Sequence, residues 1–489
     1  MARASSAFRR QALILSVLAA LSMAGYALYS NLQHGPGFPL DDAWIHATYA
    51  RNLAQYGEWA FIPGQPSSAA TSVVWVLLLA PGAWLGLAPT LWAWLLGWLA
   101  LWLTGVMGMA VIAQLAPQQA RWAPWVGALL VLEYHLVWAA LSGMETVLFA
   151  ALCLTALHLA LRPVAHAVAA GALAGLAMLV RPEGLTLLVP LAVAVLAMRR
   201  NRLRSLLQLA VGLLLFLVPY LFFNHSLSGT WWPSTLYAKQ AEYAALLAQP
   251  VWLRWAAQAA APLTGLGLVA LPGFVLLVVD AIRQRTWLRL AWVAWVLGFL
   301  LLFALRLPVV YQYGRYAMPV LPVYLVLSVA GAASALTHMR NPAWRRRLAA
   351  AWLASAALVA VAFYALGARA FQRDVAFIET QMVATARWVA ANTATDARLA
   401  AHDIGALGYF APRLLMDLAG LVTPELVPFM QDETQLAAYL DQAGVEYLVA
   451  FPHWYDQLPA GQELLYRAQA YADEAGLGRL SVYRWVGAP

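Results

Sequence analysis

The sequence predicts an α-helical polytopic membrane protein that ends in a small extracytoplasmic α/β domain. Three observations carry this reading. The 489 residues are 63% hydrophobic and only 11% charged, with a mean hydropathy of +0.68, whereas a soluble domain carries roughly twice that charged fraction. Apolar segments of about 20 residues, the length that crosses a bilayer as a helix, recur along most of the chain. Beyond Leu366 they stop and an ordinary density of charge returns, with Arg373, Asp374, Glu379, Asp396, Asp403, Asp417, Glu425, Asp432 and Glu433.

Eleven runs suit spanning: Gln11–Ser30, Thr90–Leu115, Ala123–Leu141, Thr146–Leu161, His166–Val180, Leu185–Met198, Ser205–Phe223, Leu263–Asp280, Trp287–Leu305, Tyr316–Leu336 and Ala349–Leu366. A further run, Thr71–Leu87, is short and broken at Pro81-Gly82, and is expected to lie at the membrane edge or to re-enter. Charge parity supports leaving it out. With eleven spans and the N-terminus inside, the clusters Arg199/Arg200/Arg202/Arg204, Arg283/Arg285/Arg289 and Arg340/Arg345/Arg346/Arg347 all fall on the cytoplasmic side. A twelfth span would put all three outside. The net charge of +8 is therefore a topology signal and not a nucleic-acid footprint. Gln11–Tyr29 follows Arg3, Arg9 and Arg10 as a signal peptide would, but its length and the parity argument favour a retained first span.

The expected organisation is a membrane domain over residues 1–369 and an extracytoplasmic domain over 370–489, in a multi-pass protein of the plasma membrane. Within the tail, Arg398–Ala401, Tyr447–Phe451 and Leu480–Trp485 read as strands, and Val375–Ala391 and Thr434–Ala443 as helices. Cys153 is the only cysteine, which excludes an intramolecular disulfide and a thiolate metal cluster.

Acids inside or beside spans are costly and usually have a task. Before residue 370 they are Asp41, Asp42, Glu58, Glu133, Glu145, Glu183, Glu242 and Asp280. All but Glu133 and Asp280 are expected at the outer face. Asp41 and Asp42 follow the first span and open a short helix with a rough apolar face. One of them could simply cap that helix and complement its dipole; the alternative is a carboxylate pair placed for chemistry. Lys239 is the only lysine in the chain. Arg serves elsewhere, so a lone Lys on the outer side suggests a need for its compact charge, such as a polyprenyl phosphate head group would impose. Arg315 is the second candidate for that phosphate; interfacial snorkelling is the structural alternative for both.

Glu145, Arg181 and Glu183 lie in short outer turns, either as substrate-binding residues or as span caps and a local ion pair. Tyr49, Trp231, Trp232 and Tyr237 suit an interfacial aromatic belt or, for one or two of them, stacking on a sugar ring. His402-Asp403 is a candidate substrate contact. Neither His46 nor His402 has acids at a standard metal-ligand spacing.

Five motifs together resemble the GT-C superfamily of membrane glycosyltransferases: Asp41-Asp42-Ala43-Trp44-Ile45, Gly143-Met144-Glu145-Thr146, Arg181-Pro182-Glu183-Gly184, Gly314-Arg315-Tyr316 and Asp403-Ile404-Gly405-Ala406-Leu407-Gly408-Tyr409. Their texture is similar to the actinobacterial terminal arabinofuranosyltransferases and, more distantly, to the protein O-mannosyltransferases. The resemblance implies a polyprenyl-phosphate sugar donor, an extracytoplasmic glycan, lipid or protein acceptor, and a catalytic Asp in the first outer loop. Arabinofuranose is the sugar the nearer resemblance implies. No cofactor is required in this reading, and a divalent metal is left open. An inverting transfer needs a carboxylate to take the acceptor's proton and cations to stabilise the departing phosphate. Asp41 is the expected base, with Asp42 orienting the acceptor or sharing the role.

Two other classes compete. A transporter or flippase of lipid-linked sugars would place acids near mid-membrane, whereas these gather at one face. A non-catalytic glycan assembly protein would use its tail only to bind.

Overall fold

The computed structural model describes residues 2–162, 166–198, 201–471 and 478–488. Arg199 and Arg200 lie outside the described residues. Among these, seven helices are long and apolar enough to cross a bilayer, and the bent pair Pro117–Leu132 and Tyr134–Leu141 makes an eighth. Three shorter apolar helices, Thr146–Ala160, Ala167–Val180 and Pro182–Ala197, coincide with three more of the predicted runs. Val73–Trp84, the run read as non-spanning, is a separate helix of 12 residues with Pro81 inside it.

The 54° bend in the third run has a local cause. Glu133 leaves the helical conformation there. Its Oε2 accepts the Leu136 N–H at 3.0 Å and its Oε1 pairs with His135 at 2.9 Å. A carboxylate inside an apolar run thus caps a restarted helix. The helices Ser234–Glu242 and Gly405–Phe410 were not anticipated, and neither was Val251–Leu263, whose apolar pattern Arg254 and Gln258 interrupt.

The last long helix, Pro342–Ile378, does not stop at residue 369. It passes through a π-helical turn, Glu379–Val383, into Ala384–Asn392. The boundary expected between 369 and 370 therefore falls inside a continuous helix that leads into the tail. A small hairpin, β1 (Ala60–Ile62) with β2 (Gln65–Pro66), follows the helix Asp42–Tyr56.

The tail holds a five-stranded mixed sheet in the order β4-β3-β5-β7-β6: β3 is Arg398–Ala401, β4 Leu414–Asp417, β5 Tyr447–Ala450, β6 Glu463–Arg467 and β7 Ser481–Arg484. β3 pairs in parallel with β4 and β5, and β7 is antiparallel to β5 and β6. Helices Gly405–Phe410 and Glu433–Gln442 lie on the parallel crossovers, as such connections require. The predicted strands appear as β3, β5 and β7; β4 and β6, the two edge strands, were not anticipated.

Side chains alternate across this sheet with a period of two. Leu399, Ala401, Val449 and Val482 join the core shared with the membrane domain. Ala400, Leu448, Ala450 and Tyr483 join a separate core with Leu436, Ala437 and Leu440 of the helix Glu433–Gln442. One face of the sheet is thus seated on the membrane domain, and the loop at the carboxyl end of β3 meets the segment that follows the first long helix, at Asp41.

Candidate active site

The helix Asp42–Tyr56 is the floor of the site. Asp41 precedes it in the helical region, yet its side chain makes no capping bond to its own helix. Instead its Oδ2 accepts the Gly405 N–H at 2.7 Å and its Oδ1 the Ala406 N–H at 2.8 Å. It therefore caps a different helix, Gly405–Phe410 of the tail. About three turns further along the floor helix, Arg51 donates to the carbonyls of Tyr409 at 2.6 Å and Gly408 at 3.1 Å. The free N–H groups at one end and the free carbonyls at the other are answered by the Asp41 carboxyl and the Arg51 guanidinium, at the start and along the length of one neighbouring helix. Gly405 makes this fit possible, because a Cβ there would run into the Asp41 carbonyl oxygen.

Asp42 faces the other way. Its Oδ2 takes both Arg315 Nη2 and, at 3.4 Å, Lys239 Nζ. The Tyr316 hydroxyl accepts from Lys239 at 3.2 Å and from Arg315 Nη2 at 3.1 Å. Lys239 arrives on the helix Ser234–Glu242. Arg315 follows Tyr311–Gly314, in which Gln312, Tyr313 and Gly314 all have φ between +54° and +67°. Two successive non-glycine residues in the left-handed region each cost on the order of 1–2 kcal/mol, and such strain concentrates at functional sites. Arg315 is nearly fully buried, and its Nε and Nη1 have no hydrogen-bond partner.

The two acids have opposite electrostatics. Burial and the nearby Asp403 push the Asp41 carboxyl up to about 8, against the lowering effect of the Ala406 and Gly405 N–H bonds. Burial would also raise Asp42, but Lys239 and Arg315 outweigh it and hold that group well below the usual carboxylate range. Burial alone would lower Lys239; the Asp42 charge reverses this and keeps the ammonium protonated. Asp403 is raised to about 6, chiefly by burial.

Two cavities meet here. The larger, about 1080 Å³, is lined by Asp41, Asp42, Glu242, Arg369, Asp374, His402 and Asp403 together with tail residues. The smaller, about 650 Å³, is lined by His46, Glu145, Arg181 and Glu183 and by apolar residues such as Trp232, Leu236, Leu302 and Phe303. Asp42, Ile45, Lys239, Arg315 and Leu421 line both. Asp41 lines only the larger.

The structure thus brings Asp41, Asp42, Lys239, Arg315, His402 and Asp403 around one cavity, and Glu145, Arg181 and Glu183 around the other. Arg181 bridges the two glutamates, with Nη1 2.8 Å from Glu145 and Nε 3.4 Å from Glu183. Tyr237 lines the smaller cavity but is 43% exposed and stands apart from the charged cluster. His402 Nδ1 lies 2.9 Å from the Tyr455 hydroxyl and Nε2 3.7 Å from Glu242. Burial would lower His402, but Glu242 and Asp403 raise it. Asp417 is structural: its oxygens accept the Ala419 and Val422 N–H groups at 2.9 and 2.8 Å. Among the described residues, no three His, Cys, Asp or Glu side chains gather as a metal site would need. Sequence reasoning passed over Tyr316, although Gly314-Arg315-Tyr316 was a recognised motif, and it left Glu242 and His46 without a role.

A family model described as a domain of unknown function (DUF8728) matches residues 373–483, the tail. No curated protein matches the chain in sequence. Among solved structures, ArnT from Cupriavidus metallidurans bound to undecaprenyl phosphate is similar over 97% of this chain and 98% of its own, with a TM-score of 0.59 and 18% identity. The same protein in its apo state gives a TM-score of 0.55 at 17% identity, over 96% of this chain and 97% of its own. The oligosaccharyltransferase of Archaeoglobus fulgidus in complex with zinc and sulfate is similar over 89% of this chain and 67% of its own, with a TM-score of 0.60 and 13% identity. At these identities the likeness is one of fold, and the chain has the GT-C membrane fold that its motifs resemble.

Proposed function

We propose that the protein is an inverting glycosyltransferase that moves a sugar from a polyprenyl-phosphate donor to an extracytoplasmic acceptor. The observation that carries this reading is the common wall of the two cavities, built from Asp42, Lys239 and Arg315. A phosphate held by the two cations there would sit between a cavity with apolar sides, suited to a lipid, and a polar one suited to a second substrate. Asp41 faces the polar side, where the acceptor hydroxyl would lie. In the transfer, that hydroxyl oxygen bonds to the anomeric carbon from the face opposite the phosphate. The bond from that carbon to the phosphate oxygen breaks, and the hydroxyl proton passes to Asp41. Polyprenyl phosphate leaves with its charge balanced by Lys239, Arg315 and the Tyr316 hydroxyl. The bound lipid phosphate of the ArnT structure agrees with this donor class.

Arabinofuranose is the sugar to test first, on the motif resemblance alone. The purified protein, incubated with radiolabelled polyprenyl-phosphate arabinofuranose, mannose and other sugars and with glycan and lipid acceptors, should transfer label from at least one donor. It should release polyprenyl phosphate and invert the anomeric configuration. Folded protein that consumes none of them would overturn the proposal.

The orientation we propose places the N-terminus in the cytoplasm and the site and tail outside. It rests on the arginine clusters. Reporters fused after Arg204 and Arg347 should read cytoplasmic and one after Asp374 extracytoplasmic. An Asp374 fusion reading inside would reverse every outer-face assignment.

A further inference from the structure

The lining of the smaller cavity includes polar groups that the phosphate clamp and the base do not use. His46 lies one helical turn beyond Asp42, on the same helix face. It is only 4% exposed, and neither Nδ1 nor Nε2 has a hydrogen-bond partner in the protein. Burial lowers its pKa against the opposing fields of Glu145 and Asp42, so the imidazole is neutral and offers one donor and one acceptor. Glu145 is 1% exposed. Its Oε1 is fixed by Arg181, while its Oε2 has no partner. Buried polar atoms are almost always paired, so two neighbouring exceptions that line one cavity point to a ligand with matching polar groups. A neutral donor–acceptor beside a carboxylate oxygen matches sugar hydroxyls, each of which can donate and accept. Arg181 is already paired with both Glu145 and Glu183, and Lys239 and Arg315 are taken up by Asp42 and the donor phosphate, so a carboxylate on the sugar beside His46 would meet carboxylates with none of these cations free to answer it.

We propose that this polar lining is the sugar subsite of the donor, where His46 and Glu145 hydrogen-bond the hydroxyls of an uncharged sugar and select against uronic acids. The inference rests on the polyprenyl-phosphate reading above and deepens it. Phosphate on Lys239 and Arg315 places the anomeric carbon at the wall beside Asp42; the ring then extends toward His46, and the lipid follows the apolar side chains of the same cavity, Leu236, Leu302 and Phe303.

Binding measurements on the full chain in lipid nanodiscs test this, with undecaprenyl phosphate alone and undecaprenyl phosphate bearing arabinofuranose, mannose or glucuronic acid as probes. At least one uncharged sugar lipid should bind more tightly than the bare lipid phosphate, and the glucuronic acid lipid should not. His46→Ala and Glu145→Gln should each remove about tenfold of that added affinity, the worth of one hydrogen bond, and leave the bare lipid phosphate unchanged. Gln keeps an oxygen for Arg181, which protects the fold in the second variant. Sugar lipids bound as in the wild type by both variants, or an equal loss for bare and sugar-bearing lipids, would overturn the subsite. A wild-type protein that binds none of the four lipids would instead overturn the donor class, and the subsite with it.

Discussion

Asp41→Asn should lower turnover by about 10²–10⁴-fold, the usual contribution of a general base, while donor binding stays near the wild-type value. The argument must separate two duties of this carboxylate, because Asp41 also caps the tail helix through the Gly405 and Ala406 N–H groups. An Asn side chain can accept only one of those bonds and turns its amide N–H₂ toward the other. Some loss is therefore expected from docking alone, and the pH profile tells the two apart. A base must be ionised to take a proton. With the Asp41 carboxyl pushed up to about 8 by burial and Asp403, its ionised fraction rises with pH, so kcat/KM should climb through that value and then level. Asp41→Asn should abolish the inflection, and Asp41→Glu should retain one at a reduced rate. Arg51→Ala, which loosens the other end of the same helix, should lower the rate modestly and leave the inflection in place. If Asp41→Asn keeps the wild-type pH profile, or turns over within a few-fold of wild type, Asp41 only docks the tail.

Much of the membrane architecture was legible because bilayer physics writes it plainly. Each apolar run has to satisfy its own backbone as a helix, and the runs from Gln11 to Leu366 coincide with helices in the structure. The site was legible as an inventory and not as a set of contacts. Acids and cations stand out in a chain so poor in charge, but Asp42 meets Lys239 across 197 positions and Arg315 across 273, and local pattern carries no information on such pairings. The capping reading of the Asp pair was sound chemistry assigned to the wrong helix. Sequence proximity suggested Asp42–Tyr56, whereas the N-terminus that Asp41 caps is 364 residues away. The left-handed turn before Arg315 was hidden because Gln312 and Tyr313 are not residues that favour φ > 0. β4 and β6, Leu-Leu-Met-Asp and Glu-Leu-Leu-Tyr-Arg, carry no β-branched residue to mark them, and β3, which has none either, shows how weak that local signal is. Their pairing to β3 and β7 makes them strands. His46 was weighed only as a metal ligand, and its unpaired ring nitrogens could be seen only once its surroundings were known.

Removing the phosphate clamp should have the second large effect. In the free protein Lys239 and Arg315 share a single carboxylate oxygen of Asp42, so two positive charges face one negative charge. Arg315 also keeps Nε and Nη1 without partners. This is an arrangement prepared for a second anion. Hydrogen bonds to a charged group are worth about 1.5–3 kcal/mol each, so Arg315→Ala and Lys239→Ala should each weaken donor binding by about 10–100-fold. The double variant should approach the affinity of the lipid chain alone. Lys239→Arg should not fully restore binding, because a planar fork replaces a compact ammonium in a space already shared with Arg315 and the Tyr316 ring. Higher salt should weaken the wild type only slightly, since buried charges are poorly screened. Snorkelling predicts otherwise: a lysine that merely reached the interface would tolerate Arg and leave donor affinity unchanged. Undiminished binding of undecaprenyl phosphate by the Lys239→Ala/Arg315→Ala double variant would remove the clamp and, with it, the reason to place the donor phosphate at the wall between the two cavities.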